Sequence, residues 1–180
     1  MNTSNIERYL ESFGKYIVQQ SRTNLTKKRK NVNKALYNSI RFTISKDYEG
    51  FVIKFYMLDY GKFVDKGVSG FKKIQEYTTY DGRKVASPFQ YNLKQPPPEP
   101  LSKWIKQRGL KPKGLGRGRD KKTGRFISNL AFLIGRKIRI RGIKSTSFFQ
   151  RPLMLGLEGF GKDLLGAVKE DIINNLTTVR

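Results

Sequence analysis

The sequence predicts an α+β fold: an N-terminal helix, a small antiparallel β-sheet, a long basic loop insertion, and C-terminal helices packed on the sheet. Three observations carry this expectation. Ile6, Tyr9, Leu10, Phe13 and Ile17 recur at spacings of three and four, which is one apolar stripe of a helix. Ile40, Phe42 and Ile44 alternate with Arg41, Thr43 and Ser45, the period of a half-buried strand. Helical spacing returns at Ile127, Leu130, Ala131, Ile134 and Ile138. A length of 180 residues suits one domain, read as 1–180 with a flexible basic Pro/Gly-rich insertion at about 68–125.

Composition narrows the chemistry. The hydrophobic fraction is 37%, low for a globule, and twelve Phe and nine Tyr offset it because each aromatic buries a large area. Lys and Arg number 37 against 14 acids, a net charge of +23, which reads either as a contribution to solubility or as a match for a polyanionic partner such as nucleic acid, an acidic protein surface or an anionic membrane. The chain has no Cys and no His. That excludes disulfides, Cys/His zinc sites, the Ser-His-Asp triad and imidazole acid/base work, and no cofactor is expected. Glu7 and Arg8 interrupt the opening apolar pattern, so it does not read as a signal peptide. No run approaches a membrane span, and the expected place of action is a cytosol.

The elements follow in order. Residues 4–21 form the first helix, with Ser4 as N-cap and Glu7 completing a capping box. Gly14 weakens it slightly. Its stripe packs on the protein's own sheet or docks on a neighbouring subunit. Lys27, Lys28, Arg29 and Lys30 then read as a solvated linker or as a contact for phosphate or an acidic partner; a nuclear-localisation run fits the composition too. A short helix through Ala35 and Leu36 leads into the first strand, and Phe51–Leu58 returns antiparallel to it. Phe51, Ile53, Phe55 and Met57 point one way and Val52, Tyr56 and Leu58 the other, so this strand is covered on both faces or lies in an interface.

The chain turns at Asp59-Tyr60-Gly61 and reaches Phe63-Val64, closed by Asp65-Lys66-Gly67. Asp81-Gly82 signals a tight turn. The run from Gln95 to Pro100 is expected to be extended rather than helical. Leu101–Arg108 looks like one or two helical turns, with Leu101, Trp104 and Ile105 on one face and Trp104 a local core anchor rather than a base-stacking platform. From Gly109 to Arg125 the chain is dense in cations and glycines and cannot form a core; it is a loop that a partner would order. Lys111, Lys113, Arg117, Arg119, Lys121, Lys122 and Arg125 join Lys27–Lys30 as candidate subunit or polyanion contacts. Gly114–Gly118 lacks the flanking strand and the Gly-Lys-Ser/Thr ending of a phosphate loop. Phe126–Ile140 reads as a helix, whose last turn carries Arg136, Lys137, Arg139 and Arg141 and which Gly142 stops. Leu155–Leu176 reads as one C-terminal helix, weakened by Gly159, Gly161 and Gly166.

No catalytic constellation stands out. A metal nuclease without imidazole needs clustered carboxylates, and Asp47, Glu49, Asp59 and Asp65 each suit a turn. Asp65-Lys66 also lacks the acid-x-Lys spacing of nuclease cores. The chain is therefore not expected to be an enzyme, and no metal site is expected.

Three stretches in this order resemble tailed-bacteriophage head–tail joining proteins, the neck, tail-completion and tail-component subunits. The first is Lys34–Ile40, a helix end running into a strand. The second is Leu58–Gly67, whose Tyr60, Phe63, Val64, Asp65 and Gly67 carry the aromatic-valine-acid-x-glycine pattern. The third is Ala131–Ile138 followed by Gly142–Pro152, where Phe148, Arg151 and Pro152 are similar to the family's lead-in to its last helix. The resemblance covers most of the chain outside about 68–125; the long basic insertion and the net charge depart from the pattern. It implies a structural virion protein, forming a homo-oligomeric ring at the head–tail junction or completing the tail. It also implies neighbouring connector, portal or tail proteins as partners, non-specific contact with packaged DNA, no membrane partner, and assembly in the host cytoplasm. The alternative that charge alone supports is a basic nucleic-acid-binding module.

Overall fold

A computed structural model of the chain describes residues 3–30, 33–48, 50–91, 94–110, 117–119 and 126–178; for 117–119, 126–128 and 178 it describes the backbone only. The fold is α+β, as expected. Its strands form two-stranded sheets, and the chain gathers into two compact units. Residues 1–61, 78–83 and 147–180 make the first unit, and residues 62–77 and 84–146 make the second. Within 68–110, part of the basic insertion, the described residues carry a hairpin and a ten-residue helix.

The first unit is built on α1 (Ser4–Lys27), six residues longer at its end than the periodicity indicated. After it come α2 (Ala35–Ser39) and the antiparallel pair β1 (Arg41–Lys46) and β2 (Phe51–Tyr56). The register sets Phe42 opposite Phe55 and Ile44 opposite Ile53. These four face inward and are half-buried, and the Phe42 and Phe55 ring centroids lie 6.2 Å apart. Gly14 has a packing reason: the Phe42 ring rests directly on the helix backbone there, where any side chain would collide with it.

The C-terminal segment is two helices, not one: α6 (Gln150–Glu158) and α7 (Phe160–Thr178), broken at Gly159. Both pack chiefly on α1. Gly156 of α6 lets Ile17 and Phe13 approach closely, and the Phe160 ring meets Phe13 edge-on at 4.7 Å. Phe149, just before α6, reaches the sheet through Phe55 at 5.5 Å. Leu10, Phe13, Ile17, Leu25, Leu36, Ile40 and Phe148 form this unit's core.

Capping of α1 differs from the expected box. Thr3, not Ser4, precedes the helix, and the Thr3 side chain makes no capping hydrogen bond to the helix's free amides. Thr3 Oγ1 donates to Glu7 Oε1 at 2.8 Å instead. The orphan N–H groups of Asn5 and Ile6 donate to Asp171 Oδ1 and Oδ2 at 3.1 and 3.0 Å, across 166 and 165 residues of sequence. Asp171, on the inner face of α7, thus caps a different helix and is itself buried. Burial pushes its carboxyl pKa up, but the Ile6 and Asn5 hydrogen bonds, with help from the Arg8 charge, outweigh burial and hold it below the ordinary value.

The second unit contains α3 (Gly61–Lys66) and the hairpin strands β3 (Glu76–Thr78) and β4 (Lys84–Ala86), except that Gly61, Thr78 and the hairpin turn 79–83 belong to the first unit. It continues with α4 (Pro98–Gln107), β5 (Arg117–Arg119), β6 (Phe126–Ser128) and α5 (Asn129–Arg141). The Asp81-Gly82 turn forms as expected, with Gly82 N–H donating to Thr79 O. Two expectations change. Pro98 and Pro100 lie inside α4, because Pro in a first helical turn gives up only an amide that has no partner there. Phe126–Ser128 pair antiparallel with Arg117–Arg119 rather than opening α5. In α4 the buried anchor is Ile105, while Trp104 is 36% exposed under the Arg108 guanidinium, 5.9 Å from its ring.

The depressed Asp171 pKa has a testable consequence. Its share of stability is present above the ordinary carboxylate pKa and is lost as pH falls through the lowered folded value. We expect Asp171→Ala to lower the Tm by roughly 2–6 °C near neutral pH. That gap should shrink as the pH of thermal melts is brought below the carboxylate range. A pH-independent gap would contradict the capping role.

Candidate functional site

The motif residues and the basic residues are the two candidate sites. In the second unit, the segments around Gly67 and Gly142 cross. Val68 and Ile143 form an antiparallel bridge, with Val68 N–H donating to Ile143 O at 2.9 Å and Ile143 N–H to Val68 O at 2.7 Å. Gly67 has φ +73° and Gly142 φ +75°, a left-handed conformation that disfavours any Cβ. Space is also missing. A Cβ on Gly67 would stand 2.7 Å from Ser145 N, and one on Gly142 would overlap the Val68 carbonyl. Thr146 ties the two segments again: its N–H donates to the Val64 and Asp65 carbonyls at 3.1 Å, and its hydroxyl to Val64 O at 2.6 Å. Two of the stretches carrying the family resemblance are therefore interlocked.

The crossing also completes α5. A helix leaves its last four carbonyls without intrahelical partners. Here Ile138 O accepts from Gly142 N–H, Arg139 O from Phe71 N–H, and Ile140 O from Lys72 N–H. Arg141 O accepts from Gln75 Nε2 at 2.7 Å. The turn at 70–75 is the C-terminal cap of a helix more than sixty residues later in the chain.

The motif side chains divide. Asp65, at the end of α3, is 3% exposed, and Val64 is half-buried. The Phe63 ring packs edge-on against Phe89 at 4.5 Å. The Gly67 carbonyl accepts from Ser87 Oγ at 2.8 Å. In the first unit, Tyr60 is exposed, Phe148 is fully buried, and Pro152 is buried in the first turn of α6, where a missing amide is tolerated. Arg151 beside it is exposed, and its N–H donates to Ser147 O.

Lys27–Lys30 are not a linker. They end α1 in a Schellman cap: Lys30 N–H donates to Leu25 O at 3.0 Å and Arg29 N–H to Thr26 O at 2.9 Å. Arg29 takes the left-handed position at φ +53°, usually given to glycine, and all four side chains are exposed. Arg117 and Arg119 alternate along β5, opposite Ser128 and Phe126. Lys111, Lys113, Lys121, Lys122, Arg125 and the glycine run 114–116 lie outside the described residues, as does Glu49.

β2 ends at Tyr56 rather than Leu58, and the second apolar face is open: Val52 and Tyr56 on the strand and Leu58 just after it are each 40% exposed. Arg41 lies over the Tyr56 ring at 5.4 Å. A groove of about 540 Å³ in the first unit brings Lys15, Arg22 and Arg41 together with Tyr37 and Phe42. Arg22 is held there by donating to the Tyr37 and Ile40 carbonyls at 3.0 and 2.9 Å. Sequence reasoning missed this groove, because its residues are spread over three elements. Among the described residues no group of three or more acids could hold a metal ion, and no helix is long and apolar enough to cross a membrane.

Comparison of the chain with protein-family models, curated proteins and solved structures finds no match.

Two substitutions test this geometry. Gly67→Ala combines left-handed strain with a collision against Ser145, and we expect it to cost about 2–4 kcal/mol in urea denaturation. Arg29→Gly relieves the strain at the α1 cap and should stabilise by about 0.5–1 kcal/mol in the same assay. A neutral Gly67→Ala would show that the crossing can relax.

Proposed function

We propose that the protein is a structural component of a tailed-phage virion, a subunit of a ring at the head–tail junction or at the tail end. The observation that carries this reading is the interlocking of Val64–Gly67 with Gly142–Thr146. These are residues of the second and third stretches on which the family resemblance rests, more than seventy positions apart in the chain. Sequence patterns that resemble a family separately and then meet at one backbone crossing support a shared structural origin better than either does alone.

The exposed outer face of β2 supports the same reading. A cyclic ring is built from heterologous contacts, in which one patch meets a different patch on the next copy. Val52, Tyr56 and Leu58 supply apolar area for such a contact, and Arg41 and Lys54 supply polar groups around it. The net charge of +23 is then offset by acidic neighbours or by packaged DNA.

A basic nucleic-acid-binding module is the second reading, and the groove of Lys15, Arg22 and Arg41 beside Tyr37 favours it. A salt titration separates the two. A connector subunit is expected to bind duplex DNA weakly, with steep salt dependence and no sequence preference. A site-specific binder keeps a preference at moderate salt.

The decisive experiment is mass spectrometry and electron cryo-microscopy of purified particles from the phage that encodes the chain. The expected result is a fixed number of copies per particle in one ring of density. Particles that lack the protein would rule the proposal out.

A further inference from the structure

The C-terminal end of α5 and the turn that caps it form a surface not explained by either reading above. The turn spends its backbone on the helix: Phe71 N–H and Lys72 N–H go to Arg139 O and Ile140 O, and Gly70 N–H closes on Lys73 O at 2.8 Å. Its side chains are left outside. Phe71 is 66% and Ile74 68% exposed. These are large apolar groups held on a turn whose amides are anchored.

The charge beside them has one sign. Arg136, Lys137, Arg139 and Arg141 on α5 are all exposed, and Lys72 and Lys73 stand in the turn between the two apolar residues. Neither 66–75 nor 129–146 contains an acid, and among the described residues none of these cations makes an ion pair. Leu133, 45% exposed, and Ile140 line an open depression of about 350 Å³ with Arg136, Lys137 and Arg141. The surface thus combines exposed apolar groups and an open depression with cations and no acid.

The occupant must meet both features. A second copy of this chain, with 14 acids against 37 cations, has few carboxylates to set against this cluster. A nucleic-acid backbone satisfies the cations but offers phosphate and sugar to Phe71 and Ile74. An acidic segment with an apolar face satisfies both at once, its apolar side chains in the depression and its carboxylates on the guanidinium groups. We propose that this surface docks an acidic, amphipathic helical segment of another protein. The inference stands independently of the virion reading.

The test uses the full chain and fluorescence anisotropy in physiological salt. One probe is a labelled amphipathic helical peptide with glutamates on one face and leucines on the other. The second is a scrambled peptide of the same composition, which keeps the charge and loses the face. Duplex DNA and phosphatidylserine vesicles are the competitors. The expected result is binding of the amphipathic peptide at least about tenfold tighter than of the scrambled one. The F71S/I74S variant should remove that advantage with its circular dichroism unchanged. Leu133→Ser, on the helix rather than the turn, should weaken the same peptide independently, and it carries the test if the double variant does not fold. Equal binding of the two peptides overturns the proposal, as does an advantage that survives both sets of substitutions. So does displacement of the peptide by duplex DNA or vesicles at equal charge concentration.

Discussion

Where Val68 passes Ile143, two stretches of backbone approach so closely that no side chain fits at Gly67 or Gly142. That approach permits the paired Val68–Ile143 hydrogen bonds, brings Thr146 onto the carbonyls at the end of α3, and aligns the 70–75 turn with the last three carbonyls of α5. Each of these bonds contributes on the order of 1 kcal/mol. Leaving buried carbonyls unpaired would cost more than that, so the cap and the crossing depend on each other. The second unit buries little apolar surface at this point: Val68 beside Ser69, Gln75, Asp65 and Thr146. Its definition there rests on backbone geometry and polar satisfaction, not on a large hydrophobic core.

The first unit uses the same device once more. Asp171 closes the N-terminus of α1 from a helix at the other end of the chain, with both carboxylate oxygens engaged. Two long-range caps, one a carboxylate and one made of two backbone amides and the Gln75 side-chain amide, therefore hold helices whose ends local sequence leaves open. The device leaves side chains at the surface free for partners. The turn that caps α5 presents Phe71 and Ile74, and the hairpin that α1 covers on one side presents Val52 and Tyr56 on the other.

The basic residues do not act as one group. Lys27–Lys30 finish a helix and pay some strain at Arg29. Arg22 is bound to carbonyls and stacked 5.2 Å from the Tyr37 ring, so its position is set before any ligand arrives. The cations around the end of α5 are exposed and flank apolar groups. Among the described residues the cations thus include structural, positioned and exposed ones, and the exposed ones at the end of α5 are the candidates for partner contact.

Local pattern in the sequence determined a good deal: the α1 stripe, the alternation in β1 and β2 with its inward Phe42, Ile44, Ile53 and Phe55, the Asp81-Gly82 turn, and the Gly142 stop of α5. These are legible because periodicity and turn chemistry act within a few residues. Other features were decided only by the tertiary structure. Ser4 looked like the cap of α1, but Asp171 takes that role from over 160 residues away. Pro98 and Pro100 looked incompatible with a helix, but α4 starts at them. Lys27–Lys30 looked like a linker because four cations have no core residue, whereas Schellman geometry depends on carbonyls already placed by α1. At the candidate site, Val64–Gly67 and Gly142–Thr146 were each visible as motifs, and their meeting was not. Nothing in either stretch names the other, since a backbone-to-backbone contact leaves only glycine as its mark in the sequence.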